Sequence, residues 1–347
     1  MIVLSVAYPL FPVSADSAGG AEQVLFLLQR GLVEAGHQSI VVAAQGSRVS
    51  GHLVETPVAT GEITDAVRKQ AQQIHLSAIE SILKEIPADL IHFHGFDFHT
   101  YIPSGRIAKL ATLHLPLAWY PQSIFHQRDV RLCCVSRSQA ATAPEEVKLP
   151  VVPNGVDVAR YRADAVRRDY LLWLGRICPE KGADIALRIA HRLNLPLLVA
   201  GPVHPFAYHQ DYFSDRVATM LDEKRRWLGA VGLDRKIELL AEARCVLIPS
   251  LAAETGSLVA MEAISSGTPV IAFRSGALPE IIENGVTGFI VDSEEQMAEA
   301  VKRGGEIAPG RCREEALRRF DAGRMVEGYV DLYRDVLAAS SSRNASR

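Results

Sequence analysis

The sequence predicts an α/β fold with two parallel-sheet domains, and three observations lead to this prediction. The chain has 347 residues, which exceeds the roughly 100–200 residues of a typical single core. Short apolar runs alternate with helical patterns along most of the chain, as in parallel sheets with crossover helices. The alternation breaks once, at 150–165, where two prolines, an Asn-Gly pair and several charged residues occur. We therefore place a domain boundary there.

In the first domain, the predicted strands are short apolar runs. The predicted helix carries apolar residues at helical spacing and ends before Gly36, a residue typical of helix C-termini. The predicted elements are strands at 2–7, 39–44, 90–93, 110–114 and 132–136, and a helix at 21–35.

In the second domain, the same alternation restarts and predicts a second parallel sheet. After that sheet the chain predicts terminal helices at 295–303 and 325–337 and a frayed tail from residue 340. The predicted elements are strands at 170–174, 195–200, 245–248, 269–273 and 288–291, and helices at 183–193, 236–243, 258–265 and 277–283.

Composition and charge exclude several classes of protein. The net charge is only −3, with both signs interspersed, so the broad basic surface that nucleic-acid binding requires is absent. The five cysteines show no C-x-x-C pair and are expected to be reduced. No apolar stretch reaches the roughly 18 residues of a membrane span, and the N-terminus lacks the basic region of a signal peptide. We expect a cytoplasmic protein, and weak peripheral membrane contact is compatible with the sequence.

The loop after the strand at 170–174 has the composition of a pyrophosphate site. Its sequence GRICPEKG runs from Gly175 to Gly182 and includes Arg176 and Lys181. Arginine offers a planar fork to phosphate oxygens, lysine offers a point charge, and the following helix start offers amides. The alternative interpretation is a solvated turn.

Two glutamates stand eight positions apart in ETGSLVAME, which runs from Glu254 to Glu262. A helix that begins near Ser257 places the first glutamate in the preceding loop and the second about one turn inside. The amides of Gly256, Ser257 and Leu258 then lie where a phosphate can bind. An ionised carboxylate only accepts hydrogen bonds, so each glutamate suits paired hydroxyls of a sugar or ribose. In the alternative interpretation Glu254 caps the helix and Glu262 faces solvent.

The first domain contributes SAGGAEQ, in which Gly19 and Gly20 allow close backbone approach where a helix begins. A tight helix entry without a ligand is the alternative. The motif is not G-x-G-x-x-G, so the nicotinamide fingerprint is absent.

Four histidines fall close together in the first domain: His92, His94, His99 and His114. An H-x-H pair on a strand places both imidazoles on one face, so a metal site is one interpretation. No aspartate, glutamate or cysteine at ligand spacing completes the set, and we expect no metal. Hydrogen bonding to a sugar or an acceptor is the favoured role for His114.

Together with three further motifs, these segments resemble the family-4 glycosyltransferases of the GT-B fold. The order and spacing of the motifs over about 270 residues are specific, although each alone is weak. The resemblance implies two Rossmann-like domains facing across a cleft, namely an acceptor domain at 1–155 and a nucleotide-sugar donor domain at 165–322, with a terminal helix at 323–340 packing on the first. The further motifs are PNGVD at 153–157, SGTPVIA at 266–272 and GALPEIIENGVTGFIV at 276–291.

The resemblance also implies an activity, a retaining transfer of a hexose-type sugar from a UDP- or GDP-sugar without a cofactor or metal. The acceptor is a hydroxyl of a carbohydrate, lipid-linked or small molecule. Positions that match Arg176 and Lys181 hold the diphosphate, and the backbone at Gly20 approaches it. The matches of Glu254 and Glu262 contact the donor sugar and the ribose. His114 matches a histidine near the reacting sugar.

One departure from the family pattern affects the donor loop. Many relatives have an aromatic residue and then a glycine two and three positions after the first glutamate, where this chain has Gly256 and Ser257. No second acid suited to a double displacement is evident in the motifs of the first domain, so we expect front-face attack. The alternatives are a metal-dependent hydrolase built on His92, His94 and His114, a nucleotide-sugar epimerase, and a binding protein that has lost catalysis. The spacing of the two glutamates argues against the epimerase.

Overall fold

The chain packs into two compact units, each with its own sheet. The first unit consists of residues 1–155 and 322–347, and the second of residues 156–321. Each sheet has six strands, and every strand pairing is parallel. The predicted α/β class with two parallel sheets is confirmed. The computed structural model describes residues 1–17, 19–59, 61 and 63–345.

The first sheet has the strand order β3-β2-β1-β4-β5-β6. The chain leaves β1 in one direction and returns to its other side at β4, so the switch point of the sheet lies between these two strands. Val3, Leu4 and Val6 of β1 are fully buried, as expected for a parallel sheet covered on both faces. The strands are β1 (Ile2–Val6), β2 (Gln38–Ala44), β3 (His52–Thr56), β4 (Leu90–Phe93), β5 (Ala108–Leu113) and β6 (Arg131–Cys134).

The second sheet has the strand order β12-β11-β10-β7-β8-β9. Its switch point lies between β7 and β10, which are hydrogen-bonded neighbours in the pairs Cys245 with Leu171 and Val246 with Leu172. The strands are β7 (Leu171–Leu174), β8 (Leu197–Ala200), β9 (Arg225–Trp227), β10 (Cys245–Ile248), β11 (Val270–Phe273) and β12 (Gly288–Val291).

Helices connect the strands of both sheets. They are α1 (Gly20–Glu34), α2 (Asp65–Glu85), α3 (Arg137–Ala140), α4 (Ala183–Leu193), α5 (Ala207–Tyr212), α6 (Leu233–Glu242), α7 (Leu258–Ser265), α8 (Leu278–Ile281), α9 (Glu294–Arg303), α10 (Pro309–Arg319) and α11 (Ala322–Ala345). Single turns of 3₁₀-helix lie at Phe98–Thr100, Leu117–Trp119, Gln122–His126, Val158–Arg160, Pro179–Lys181, Ala218–Met220 and Gly304–Glu306, and a π-helical turn at Phe213–Val217.

The terminal helix α11 is longer than predicted and belongs to the first unit. It packs against α1 and β5, and its side chains Tyr329 and Tyr333 are fully buried. The prediction of a frayed tail from residue 340 is wrong, since α11 continues to Ala345; the last two residues lie outside the described ones. Among the described residues, no helix is both long and apolar enough to cross a bilayer.

Candidate functional site

The loops that follow β7 and β10 meet at the switch point of the second sheet. Parallel strands end at the same edge, so their following loops are adjacent. The amide of Leu251, after β10, donates to the carbonyl of Glu180, after β7, at 2.8 Å. Gly182 has φ +66°, and a Cβ there would meet the carbonyl oxygen of Pro249. Glycine thus allows the start of α4 to lie directly against the loop after β10.

The loop from Gly175 to Gly182 carries two cations in different states. The guanidinium of Arg176 is half-buried and forms no ion pair or hydrogen bond with any residue in the described part of the chain. The side chain of Lys181 is 32% exposed, and its Nζ lies 2.6 Å from Oε1 of Glu254. The charge of Lys181 is therefore balanced within the protein, whereas that of Arg176 is available to an anion.

Glu254 lies in the loop between β10 and α7, as predicted. Its Oε1 accepts hydrogen bonds from Nζ of Lys181 and from the hydroxyl of Ser250 at 2.5 Å. Its Oε2 has no hydrogen-bond partner among the described residues. The N-cap residue of α7 is Ser257, and the helix begins at Leu258. Gly256 and the first amides of α7 therefore lie two to four residues after Glu254, at the edge that the sequence predicts.

Glu262 is the fifth residue of α7, and its side chain is only 3% exposed. The alternative interpretation, that it faces solvent, is therefore wrong. Its Oε1 accepts hydrogen bonds from the hydroxyl of Tyr161 at 2.8 Å and from Nζ of Lys236 at 2.6 Å. Burial and the carboxylate of Glu262 raise the pKa of Tyr161 far above its usual range, so this hydroxyl remains a hydrogen-bond donor.

This arrangement can bind an anion next to a polyol. Arg176 offers a guanidinium that has no partner among the described residues, and the first turn of a helix favours negative charge. Among the described residues, the hydrogen bonds of Glu254 and Glu262 all go to Oε1, which leaves Oε2 of each as an acceptor for hydroxyl groups.

In the first unit, Gly19 and Gly20 lie at the beginning of α1, which follows β1 at the switch point of that sheet. Gly19 is the N-cap residue, and Gly20 is the first, exposed residue of the helix. A Cβ at Gly19 would meet the carboxylate of Glu22, which is the far end of a flexible side chain and can shift, so the helix entry alone does not require glycine. Their part in ligand binding stays a prediction.

Three of the four predicted histidines, His92, His94 and His114, come together at the ends of β4 and β5, whereas His99 lies in the 3₁₀ turn Phe98–Thr100. Nδ1 of His94 lies 3.1 Å from Nε2 of His114. His92 is fully buried, and its two ring nitrogens lie 2.8 Å from the hydroxyls of Tyr333 and Thr112. Both nitrogens of His92 are therefore engaged, which disfavours the metal-dependent hydrolase.

Burial sets the charge of these imidazoles. It lowers the pKa of His114 to about 4. Burial, reinforced by the neighbouring rings, also lowers the pKa values of His92 and His94. All three are consequently neutral near pH 7.

The sequence does not reveal several partners of the predicted acids. Lys236 of α6 and Tyr161 donate to Glu262, and Ser250 donates to Glu254. None of these three donors belongs to a recognisable motif. Only the parallel order of the strands indicates that the loop after β10 adjoins that after β7.

Two protein-family models match the chain. One, described as Glycosyl transferases group 1, matches residues 168–304, and one described as Glycosyltransferase Family 4 matches residues 18–160. The first match contains the loops after β7 and β10, and the second contains Gly19, Gly20 and the histidines.

Similar proteins include a curated relative and two solved structures. A D-inositol 3-phosphate glycosyltransferase of Acidothermus cellulolyticus is 31% identical over an alignment of 236 residues. The match covers 58% of this chain and 52% of the relative. The chain spans about half the length of the curated relatives it matches. AviGT4, a glycosyltransferase involved in avilamycin A biosynthesis, has a TM-score of 0.72 and 26% identity, covering 97% of this chain and 98% of its own. Anabaena HepE in complex with UDP and glucose has a TM-score of 0.74 at 16% identity, covering 96% and 100%, and shows the fold alone.

Proposed function

Because this chain belongs to the glycosyltransferases of group 1 and family 4, we propose that it transfers a hexose-type sugar from a nucleotide-diphosphate sugar to an acceptor hydroxyl. One observation carries this proposal: Arg176, Lys181, Glu254 and the first turn of α7 lie together at the switch point of the second sheet. Ligands of open parallel sheets bind outside the carboxyl ends of the strands at such a point.

In the proposed complex the diphosphate lies against Arg176 and the first amides of α7. A guanidinium forms charge-assisted hydrogen bonds to phosphate oxygens, and the amides at Gly256, Ser257 and Leu258 add the positive end of a helix dipole. Lys181 keeps its ion pair with Glu254 and also attracts the diphosphate, since its side chain is 32% exposed.

The two acids recognise the hydroxyl groups of the donor. Oε2 of Glu254 accepts from the hydroxyls of the transferred sugar, while Lys181 and Ser250 fix the carboxylate through Oε1. Oε2 of Glu262 accepts from the ribose, while Lys236 fixes that carboxylate. Both acids are thereby oriented before the ligand binds.

We propose that the reaction proceeds by front-face attack with retention of configuration. The acceptor oxygen bonds to the anomeric carbon as the bond from that carbon to the diphosphate oxygen breaks. The leaving diphosphate accepts the hydroxyl proton, and Arg176 stabilises the negative charge that grows on it. Because cationic side chains supply this stabilisation, the proposal requires no metal.

In the first unit, we propose that two groups contact the sugar or the acceptor. The backbone at Gly20 and the neutral ring of His114 are the groups predicted to contact the donor sugar or the acceptor. The acceptor is a hydroxyl of a carbohydrate, lipid-linked or small molecule.

A donor screen on the purified chain tests the proposal first. Thermal melts are recorded with UDP-glucose, UDP-galactose, UDP-N-acetylglucosamine and GDP-mannose. A ligand that binds only the folded chain stabilises it by about 2.7 kcal/mol at a hundredfold excess over its Kd. We expect a clear rise in melting temperature with at least one donor; no rise with any of them would refute nucleotide-sugar binding at these concentrations.

Turnover with the selected donor tests the reaction. The acceptor panel begins with D-inositol 3-phosphate, because a relative is named for it, and EDTA is present in a parallel series. We expect nucleoside diphosphate release that requires an acceptor, a product with the anomeric configuration of the donor, and unchanged rates in EDTA. An inverted anomer would exclude the retaining mechanism, and a loss of turnover in EDTA that Mg²⁺ or Mn²⁺ restores would exclude metal independence. Conversion of donor without acceptor would favour the hydrolase or the epimerase.

A further inference from the structure

A second cluster of reactive side chains lies beside the loop after β7. Cys178 belongs to that loop, Glu180 to its 3₁₀ turn, and His209 to α5. The sulfur of Cys178, a carboxylate oxygen of Glu180 and a ring nitrogen of His209 all lie within 4.8 Å of one another. In the described parts of the chain, this is the one group of three such ligand atoms close enough to share a metal ion.

Two residues of the cluster are buried and Glu180 is half-buried, and two of the cluster's polar atoms lack partners. Cys178 is 3% exposed and His209 is 1% exposed. Nδ1 of His209 and Oε2 of Glu180 are buried without a hydrogen-bond partner in the described structure. An unpaired buried polar atom destabilises a fold, so two in one cluster are accounted for by a group that completes the site.

We propose that Cys178, Glu180 and His209 form a binding site for a soft divalent cation, with Zn²⁺ as the best match. Thiolate, imidazole and carboxylate are the three ligand types of zinc, and three protein ligands leave a fourth position for water. The thiolate disfavours Mg²⁺ and Ca²⁺, which prefer oxygen ligands. Ligand atoms around tetrahedral zinc stand roughly 3.5 Å apart, so the side chains need to move by only about 1 Å.

The surroundings of the cluster are consistent with this site. The ring centroids of Phe206 and Tyr208 lie 5.3 and 4.2 Å from that of His209, so both rings pack against this imidazole. When the cation binds, the Cys178 thiol releases its proton and coordinates the cation as a thiolate.

This inference does not depend on sugar transfer. Cys178 and Glu180 lie between Arg176 and Lys181 in sequence, so a cation bound there restrains the loop rather than taking part in the reaction. Metal binding is measured without donor or acceptor, and its result is therefore separate from that of the turnover assay.

The test measures Zn²⁺ and Co²⁺ binding to the metal-stripped full chain and to its Cys178→Ser and His209→Gln variants. The control is His191→Gln, which removes an exposed imidazole of the same unit outside the cluster. We expect one equivalent of Zn²⁺ for the wild type and the control, and affinity reduced more than tenfold in both site variants. Thermal melts of each metal-free protein confirm folding.

Co²⁺ absorption keeps the test decisive if a variant fails to fold. Cobalt bound at this site gives a thiolate-to-metal charge-transfer band in the near ultraviolet, together with the visible bands of tetrahedral coordination. Absence of the charge-transfer band in the wild type would overturn the proposal. Folded site variants that bind Zn²⁺ as tightly as the wild type would overturn it as well.

Discussion

Replacing Lys236 with methionine is expected to destabilise the second unit, because it leaves a nearly buried carboxylate without its cation. Nζ of Lys236 lies 2.6 Å from Oε1 of Glu262, and the two side chains are 13% and 3% exposed. Unit charges at this separation attract by about 6 kcal/mol at an effective dielectric constant of 20, and most of that offsets lost hydration. The variant loses this attraction, while the carboxylate of Glu262 remains buried and without its hydration. We expect a decrease of about 3 kcal/mol in the free energy of unfolding.

Scanning calorimetry of the full chain measures this effect. For a unit of roughly 170 residues, 3 kcal/mol lowers the melting temperature by about 6–12 °C. Glu262→Gln should cost less, about 2 kcal/mol, because Lys236 reaches solvent and Tyr161 still has an acceptor. The double variant should lose less stability than the two single losses combined, since neither partner is then left charged and unpaired.

A neighbouring residue provides the matched control for this cycle. Arg235 pairs with Glu238 on the exposed face of α6, with side chains 54% and 59% exposed, so Arg235→Met should cost under about 0.5 kcal/mol. A Lys236→Met melting temperature within roughly 1 °C of the wild type would refute the reasoning. Strict additivity in the double variant would refute it equally.

Three further variants test other parts of the structure by thermal melts. Gly182→Ala should cost about 1–2 kcal/mol more than Gly285→Ala, because both have positive φ but only the former meets a backbone carbonyl; equal losses would contradict the close approach. Burial lowers the pKa of His75 to about 4, so between pH 6.5 and 4 the unfolded state binds more protons than the folded state. The free energy of unfolding therefore decreases as the pH is lowered through this range. His75→Leu should remove about 2–3 kcal/mol of that loss by pH 4.5, and unchanged acid sensitivity would contradict this. Tyr333→Phe leaves a nitrogen of buried His92 unpaired and should destabilise the first unit by about 1–3 kcal/mol; an unchanged melting temperature would argue against that hydrogen bond.

The elements that the sequence predicts best are those with a strong apolar pattern. The strands Leu90–Phe93 and Cys245–Ile248 and the helices Ala183–Leu193 and Leu258–Ser265 have the predicted bounds. Each is short and buried or strongly amphipathic, so its periodicity is unambiguous.

The missed elements have weak or misleading patterns. The edge strand His52–Thr56 is only partly buried, the short strand Arg225–Trp227 begins with two arginines, and the helix Pro309–Arg319 is rich in charge. The serine-rich end of α11 resembles a tail, yet it stays helical, and the hydroxyl of Ser341 donates to the carbonyl of Leu337. Side-chain bonds of this kind are not visible in a hydropathy pattern.

In the candidate site, too, the sequence predicts the residues of the motifs but not the contacts between them. The sequence places Arg176, Lys181 and Glu254 at one edge of a parallel sheet, and the structure brings the last two to 2.6 Å. It does not indicate that Lys181 is paired while Arg176 is unpaired, or that Lys236 holds Glu262. Those contacts depend on how α6 and the loops pack, which no local pattern encodes.

The most direct test of the account is the affinity of Arg176→Ala for the diphosphate of the donor nucleotide. Isothermal titration compares UDP with uridine, or GDP with guanosine if the donor screen selects guanine, for the wild type, Arg176→Ala and the control Arg235→Ala. A charge-assisted hydrogen bond contributes about 1.5–3 kcal/mol, so we expect a roughly 10- to 150-fold weaker affinity for the diphosphate in Arg176→Ala alone. Nucleoside binding should stay unchanged in all three proteins. Wild-type affinity of Arg176→Ala for the diphosphate would contradict the central claim that this unpaired guanidinium binds it.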